Sequence, residues 1–136
     1  MISPKTVRIV QAGAAAVALL FGAVTVFAGG RVLLGADPGY AVFRPLLVFN
    51  TGMGLAYLAA GVTIWRSLGA GRFAAGAIAL LNLTALAVVF ALYSGAGTVA
   101  VESLRAMTLR AAVWLLLFLV VAWLARGRTA GRKGPG

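Results

Sequence analysis

FAAGAIALLNLTALAVVFALY, residues 73–93, decides the fold: no charged residue interrupts it, Arg72 precedes it, and the breaker Ser94-Gly95-Ala96-Gly97 follows it. At 1.5 Å rise per residue a helix of this length covers about 30 Å, the thickness of a bilayer's hydrocarbon core. Two more runs of that kind lie upstream. Residues 9–28 are bracketed by Arg8 and Arg31, and residues 45–65 by Arg44 and Arg66. Pro45 suits a first helical turn, where a missing N–H leaves nothing unpaired. The last apolar run, residues 111–125, is too short to cross alone and must take in the turns before it, so the fourth helix is expected over 104–125. These readings predict an all-α fold, an integral membrane antiparallel four-helix bundle within a single domain at 1–125. A basic, irregular tail is expected at 126–136.

Composition agrees with lipid as the solvent. Charged residues make up 10% and apolar ones 62% of the 136 residues, against about a quarter and a half in soluble domains, so the chain cannot cover a water-facing surface with charge. A net charge of +10 is of the kind that nucleic-acid binders carry. The basic residues are scattered between apolar runs, without a stripe or interleaved aromatics, and nucleic-acid binding is not expected. Cysteine and histidine are both absent, which removes disulfides, thiol chemistry and the usual zinc, copper and haem ligands. No metal, cofactor or catalytic residue is expected.

Orientation follows from basic residues near the helix ends. Lys5, Arg8, Arg66, Arg72, Arg126, Arg128, Arg132 and Lys133 fall on one side; Arg31, Arg44, Arg105 and Arg110 fall on the other, with both acids, Asp37 and Glu102. Eight against four places both termini in the cytoplasm of a multi-pass plasma (inner) membrane protein and disfavours a dual-topology channel. Trp65 and Trp123 then lie at the cytoplasmic interface. The first span also resembles a signal peptide ending at Val26-Phe27-Ala28. Its apolar run exceeds the usual 7–15 residues, so it is read as a retained helix.

Helices in lipid meet through small residues that let backbones approach. Gln11, Ala15, Ala18, Gly22, Thr25 and Gly29 form one such stripe. Asn50, Gly54, Tyr57, Gly61 and Ile64 form a second; Ala75, Ala79, Asn82, Leu86, Val89 and Tyr93 form a third. A period near 3.5 keeps each on one face, as left-handed bundles require. Gln11, Tyr57 and Asn82 are read as structural polar residues that bond between helices.

Arg110 is the most informative charge. Sixteen residues separate it from Arg126, about 24 Å of helix, so it lies roughly a turn inside the outer surface and needs a partner. A candidate ligand-binding pocket is expected from Arg44, Asn50, Tyr93, Glu102 and Arg110, with Asp37 and Tyr40 on the loop above. It would suit an anionic headgroup, a quinone carbonyl or a small anion. The alternative is that Arg110 pairs with Glu102 or Asp37 merely to lock the bundle. Asp37-Pro38-Gly39-Tyr40 reads as a turn capped by its own aspartate.

The layout resembles small four-helix membrane proteins of the DoxX-like kind. The first helix closes on Gly29-Gly30-Arg31, then Leu34-Gly35-Ala36-Asp37-Pro38-Gly39, and Arg44 opens a second helix with Gly52, Gly54 and Gly61. The resemblance implies no particular site residue. What it implies about activity is modest: many such proteins have no assigned activity, and some serve as small subunits beside quinone-linked oxidoreductases. Three functions follow in order of preference. The first is a non-catalytic accessory or scaffold subunit, associated with membrane lipids and with partner subunits or copies of itself. The second is a small anion transporter or channel lined by Arg44 and Arg110. The third is a lipid- or quinone-modifying enzyme with Glu102 as acid/base and Arg110 holding the anionic group.

Overall fold

A computed structural model describes residues 3–95 and 99–132, the side chains of 128–132 excepted. The chain forms four helices, α1 (Pro4–Leu33), α2 (Arg44–Arg66), α3 (Leu68–Gly95) and α4 (Val101–Arg132). All four are long and apolar enough to cross a membrane. The protein is an all-α four-helix bundle and a multi-pass membrane protein.

Local chemistry sets the helix ends. Ser3 caps α1 by accepting the Thr6 N–H at 3.2 Å, with Pro4 in the first turn. The helix closes in a Schellman turn: Gly35 takes φ +110°, its N–H donates to the Val32 carbonyl, and the Ala36 N–H reaches back to Arg31. In the following loop the Gly39 N–H donates to Asp37 Oδ1 at 2.9 Å, with Gly39 at φ +86°.

Several boundaries differ from expectation: α1 runs beyond 9–28 at both ends, α4 begins at Val101 rather than 104, and two further differences change the reading of what lies between and after the spans. α3 begins at Leu68 rather than 73, because Ser67 alone breaks the chain (φ −154°, ψ 124°) and then accepts the Ala70 N–H on its hydroxyl at 3.3 Å. Residues 69–72, read as loop, are therefore helical, and Arg72 stacks over Phe73 at 4.9 Å. α4 continues to Arg132, so residues 126–132 are helix rather than irregular tail. Residues 133–136 and the expected breaker residues 96 and 97 lie outside the described residues.

Successive helices run antiparallel. Gln11, near the start of α1, donates to the carbonyls of Ile64 at 2.8 Å and Trp65 at 3.3 Å, near the end of α2. α1 packs broadly on α2, and α3 on α4; α2 meets α3 less, and α1 meets α4 less again. Small residues permit the α1–α2 approach: a Cβ on Gly22 would stand 2.9 Å from both the Gly54 carbonyl oxygen and the Leu58 nitrogen. Below mid-bundle, toward the end carrying the termini, the core is Ala14, Ala15, Ala18, Ala60, Ile64, Ala75, Ala79, Leu117, Val121 and Leu124. That half is apolar throughout its buried core. At the opposite end, which carries the 34–43 loop, a smaller cluster gathers Val89, Val99 and Met107 under Phe43 and Leu46. The outward faces are lined with lipid-compatible side chains such as Leu20, Phe27, Leu80, Phe90 and Leu116.

Candidate functional site: a polar cavity at the loop end

The polar groups of the core begin at mid-bundle. Tyr57 is fully buried and donates its hydroxyl to Asn82 Oδ1 at 3.0 Å. Its ring lies 4.8 Å from Trp114 on α4 and 5.6 Å from Phe21 on α1. All four helices thus meet at one aromatic layer. Asn82 Nδ2 and Trp114 Nε1 are buried there without a hydrogen-bond partner. One turn from Trp114 toward the loop end, α4 places Arg110. Two turns from Tyr57 in the same direction, α2 places Asn50.

Arg110 and Asn50 line a common cavity of about 200 Å³. Thr25, Gly29 and Val32 of α1 form one wall, Ser103 and Ala106 of α4 another. Pro38, Tyr40, Val42 and Phe43 roof it from the loop. Arg110 Nε and Asn50 Oδ1 are both buried without a partner. The Thr25 and Thr51 hydroxyls donate to the carbonyls of Phe21 and Leu47 within their own helices, leaving oxygen lone pairs toward the cavity region. A guanidinium fork and an amide oxygen therefore share a largely apolar chamber.

Of the five residues expected to form a pocket, the structure brings together two, Asn50 and Arg110. Arg44, Tyr93 and Glu102 are exposed and do not line the cavity. The reason is rotation about the helix. Six residues from Arg44 to Asn50 turn the helix by about 600°, which leaves the two side chains roughly 120° apart; eight residues from Glu102 to Arg110 leave about 80°. Tyr93 belongs to α3, none of whose residues lines the cavity. The locking ion pair is not made either. Among the described residues no ion pair joins Arg110 to Glu102 or to Asp37, whose carboxylate is occupied by its own turn.

Tyr40 does reach the cavity. Ser103, Thr51 and Trp114 are not singled out by the sequence reading, and Thr25 enters it only as part of the α1 packing stripe. The signal for Trp114 was available, since it lies four residues from Arg110 and so on the same face. A second, open cleft of about 500 Å³ lies at the end carrying the termini, between Arg8, Gln11, Ala12, Trp65 and Arg66. Its arginines are exposed and its amide is already bonded, so it holds no buried group in need of a ligand. No protein-family model, curated protein or solved structure matches the chain.

Proposed function

We propose that this chain is a non-catalytic accessory or scaffold subunit of a membrane complex that holds an anionic or carbonyl-bearing group, a lipid headgroup or a quinone, at its loop end. The observation that carries this reading is Arg110: a charged side chain in a membrane-spanning helix, set in a cavity, with a buried Nε that no protein group satisfies. Such a charge is expensive in lipid and normally marks a functional position. The resemblance of the layout to DoxX-like proteins, some of which are small subunits of larger complexes, is in keeping with the accessory role.

The other two readings lose support on specific grounds. An anion pathway must continue past the Tyr57 layer, where the core turns to alanine, isoleucine, leucine and valine. An enzyme using Glu102 needs that carboxylate beside the bound group, and Glu102 stands exposed and outside the cavity lining. The eight-to-four distribution of basic residues supports a plasma membrane topology with both termini cytoplasmic, so the cavity would open toward the outer leaflet.

Purification from native membranes in a mild neutral detergent tests the reading. Wild-type protein should bring down partner subunits and one anionic or quinone species per chain. Arg110→Leu should keep the partners and lose the small species. Recovery of a partner-free chain, or of the same bound species in Arg110→Leu, refutes it.

A further inference from the structure

We infer that the cavity is a headgroup site for an anionic phospholipid whose headgroup also carries a hydroxyl, and that this lipid reaches it sideways between α1 and α4. The inference rests on the anion-holding reading above and names its ligand.

Charge and hydrogen bonding set the headgroup. Among the described residues Arg110 is the one charged side chain lining the cavity, so a ligand with one net negative charge neutralises it. A guanidinium fork matches two phosphate oxygens. Asn50 Oδ1 is an acceptor with no donor, and phosphate oxygens cannot supply one. A hydroxyl on the same headgroup can. A single ligand answers both orphan atoms when it joins an anionic phosphodiester to a hydrogen-bond donor, and a hydroxyl supplies that donor without adding a charge.

Size and position place the tails. A site that encloses a whole drug-sized ligand measures roughly 300–1,000 Å³, whereas this cavity offers about 200 Å³. It takes a headgroup and leaves the rest outside. Loop residues roof it, α2 backs it, and α1 and α4, which supply its other walls, pack on each other less than α1 on α2, α3 on α4 or α2 on α3. Ala28 and Ala106, both lining the cavity, keep the α1–α4 side free of bulk. Ala28 both lines the cavity and is exposed, which puts it at the mouth. Outside that mouth lie the apolar faces of the helices, where acyl chains belong.

The test uses the full chain in a neutral maltoside detergent, followed by native mass spectrometry and thermal unfolding. The probes are phosphatidylglycerol, phosphatidylcholine and glycerol 3-phosphate, the second lacking a donor and the third lacking tails. Phosphatidylglycerol should bind once per chain, at least about tenfold more tightly than either of the others. Arg110→Leu should weaken it about tenfold or more and Asn50→Leu roughly fivefold. Ala28→Trp, which fills the mouth from an exposed position, should weaken it about tenfold, whereas Val24→Trp, one turn away and outside the lining, should not. Equal binding of phosphatidylcholine overturns the headgroup assignment. Glycerol 3-phosphate bound as tightly as the lipid, in an Arg110-dependent way, overturns the lipid inference and leaves the anion-holding reading intact. Binding of no anionic probe in an Arg110-dependent way overturns both.

Discussion

Arg110→Leu should make the protein more stable while removing what it binds. In the wild type the guanidinium lies about 13 Å along α4 from Val101, with its Nε buried and unpaired. An arginine near the centre of a membrane helix is disfavoured by about 2.5–3.5 kcal/mol on the insertion scale, less toward the interface. Leucine is favoured there by about 0.3–0.6 kcal/mol. Leaving a buried polar group unsatisfied costs about 1–3 kcal/mol. Allowing for the site's distance from the bilayer centre, the replacement should stabilise the lipid-stripped protein by about 1–3 kcal/mol, or roughly 4 °C per kcal/mol. A locking ion pair predicts the opposite sign, since removing one partner of a buried pair costs about 3–5 kcal/mol. Thermal or denaturant unfolding of delipidated protein in neutral detergent separates the two. Glu102→Gln is the control and should stay within about 0.5 kcal/mol of wild type, as an exposed residue should. Added phosphatidylglycerol should raise the wild-type midpoint and leave that of Arg110→Leu unchanged. A destabilised Arg110→Leu would mean that the guanidinium is satisfied by the protein, and the case for a ligand would fail.

Other substitutions probe the frame around the cavity. Gly22→Ala should destabilise the bundle by about 1–3 kcal/mol, because the added Cβ meets the α2 backbone at 2.9 Å and neither partner is a flexible side chain; unfolding in detergent measures it. Tyr57→Phe removes the hydroxyl that reaches Asn82 and should lower stability by roughly 0.6–1.7 kcal/mol on the same assay. Asn50→Asp supplies Arg110 with a carboxylate inside the cavity; phosphatidylglycerol binding, followed by native mass spectrometry, should fall by about tenfold or more with no loss of thermal stability. Proteoliposomes loaded with a halide-sensitive dye should show no anion flux above empty vesicles. About 10 Å of helix separates Tyr57 from Ile64, and an ion crossing a dry core over that distance faces a prohibitive desolvation cost.

The sequence carries the fold more fully than the site because the two depend on different properties. Crossings are announced by length without charge, and residues 73–93 could be nothing else in a chain of this composition. The start of α3 was harder. Leu68-Gly69-Ala70-Gly71-Arg72 joins two glycines to a charge and reads as loop, yet Gly71 lies so close to the Ile64 backbone that a Cβ would stand 2.8 Å from its Cα. Helix continues there through packing that propensity does not reveal. Asn50 and Arg110 were visible as polar residues within apolar runs. Arg44 and Glu102 were grouped with them by depth along the axis, while the rotation of about 100° per residue carries them to other faces. Depth comes from counting; azimuth must be checked separately.

The two halves of the bundle handle polarity in opposite ways, and that contrast bears on what the protein is for. Toward the termini the buried core is alanine, isoleucine, leucine and valine, Gly61 and Gly71 make room for Leu19 and Ile64, and the one amide present, Gln11, is bonded to two carbonyls. Sequence variation could have continued that pattern to the loop end. Instead Asn50, Asn82, Arg110 and Trp114 each keep a buried atom without a partner, and three of these lie within about two turns along α2 and α4. Each unmet bond is a standing cost of about 1–3 kcal/mol to the empty protein, and four of them approach the whole stability of a small domain. Asn82 and Trp114 return part of that cost through their contacts with Tyr57, whereas Asn50 and Arg110 make no protein hydrogen bond through these atoms and leucine at either position would hold helices together in lipid at least as well. A bound group that donates to Asn50 and accepts from Arg110 recovers the loss at the two outermost of the four, where the cavity lies, and makes folding stability depend on occupancy. The apolar half beneath then acts as a rigid, closed floor, which suits retention of a ligand rather than its passage.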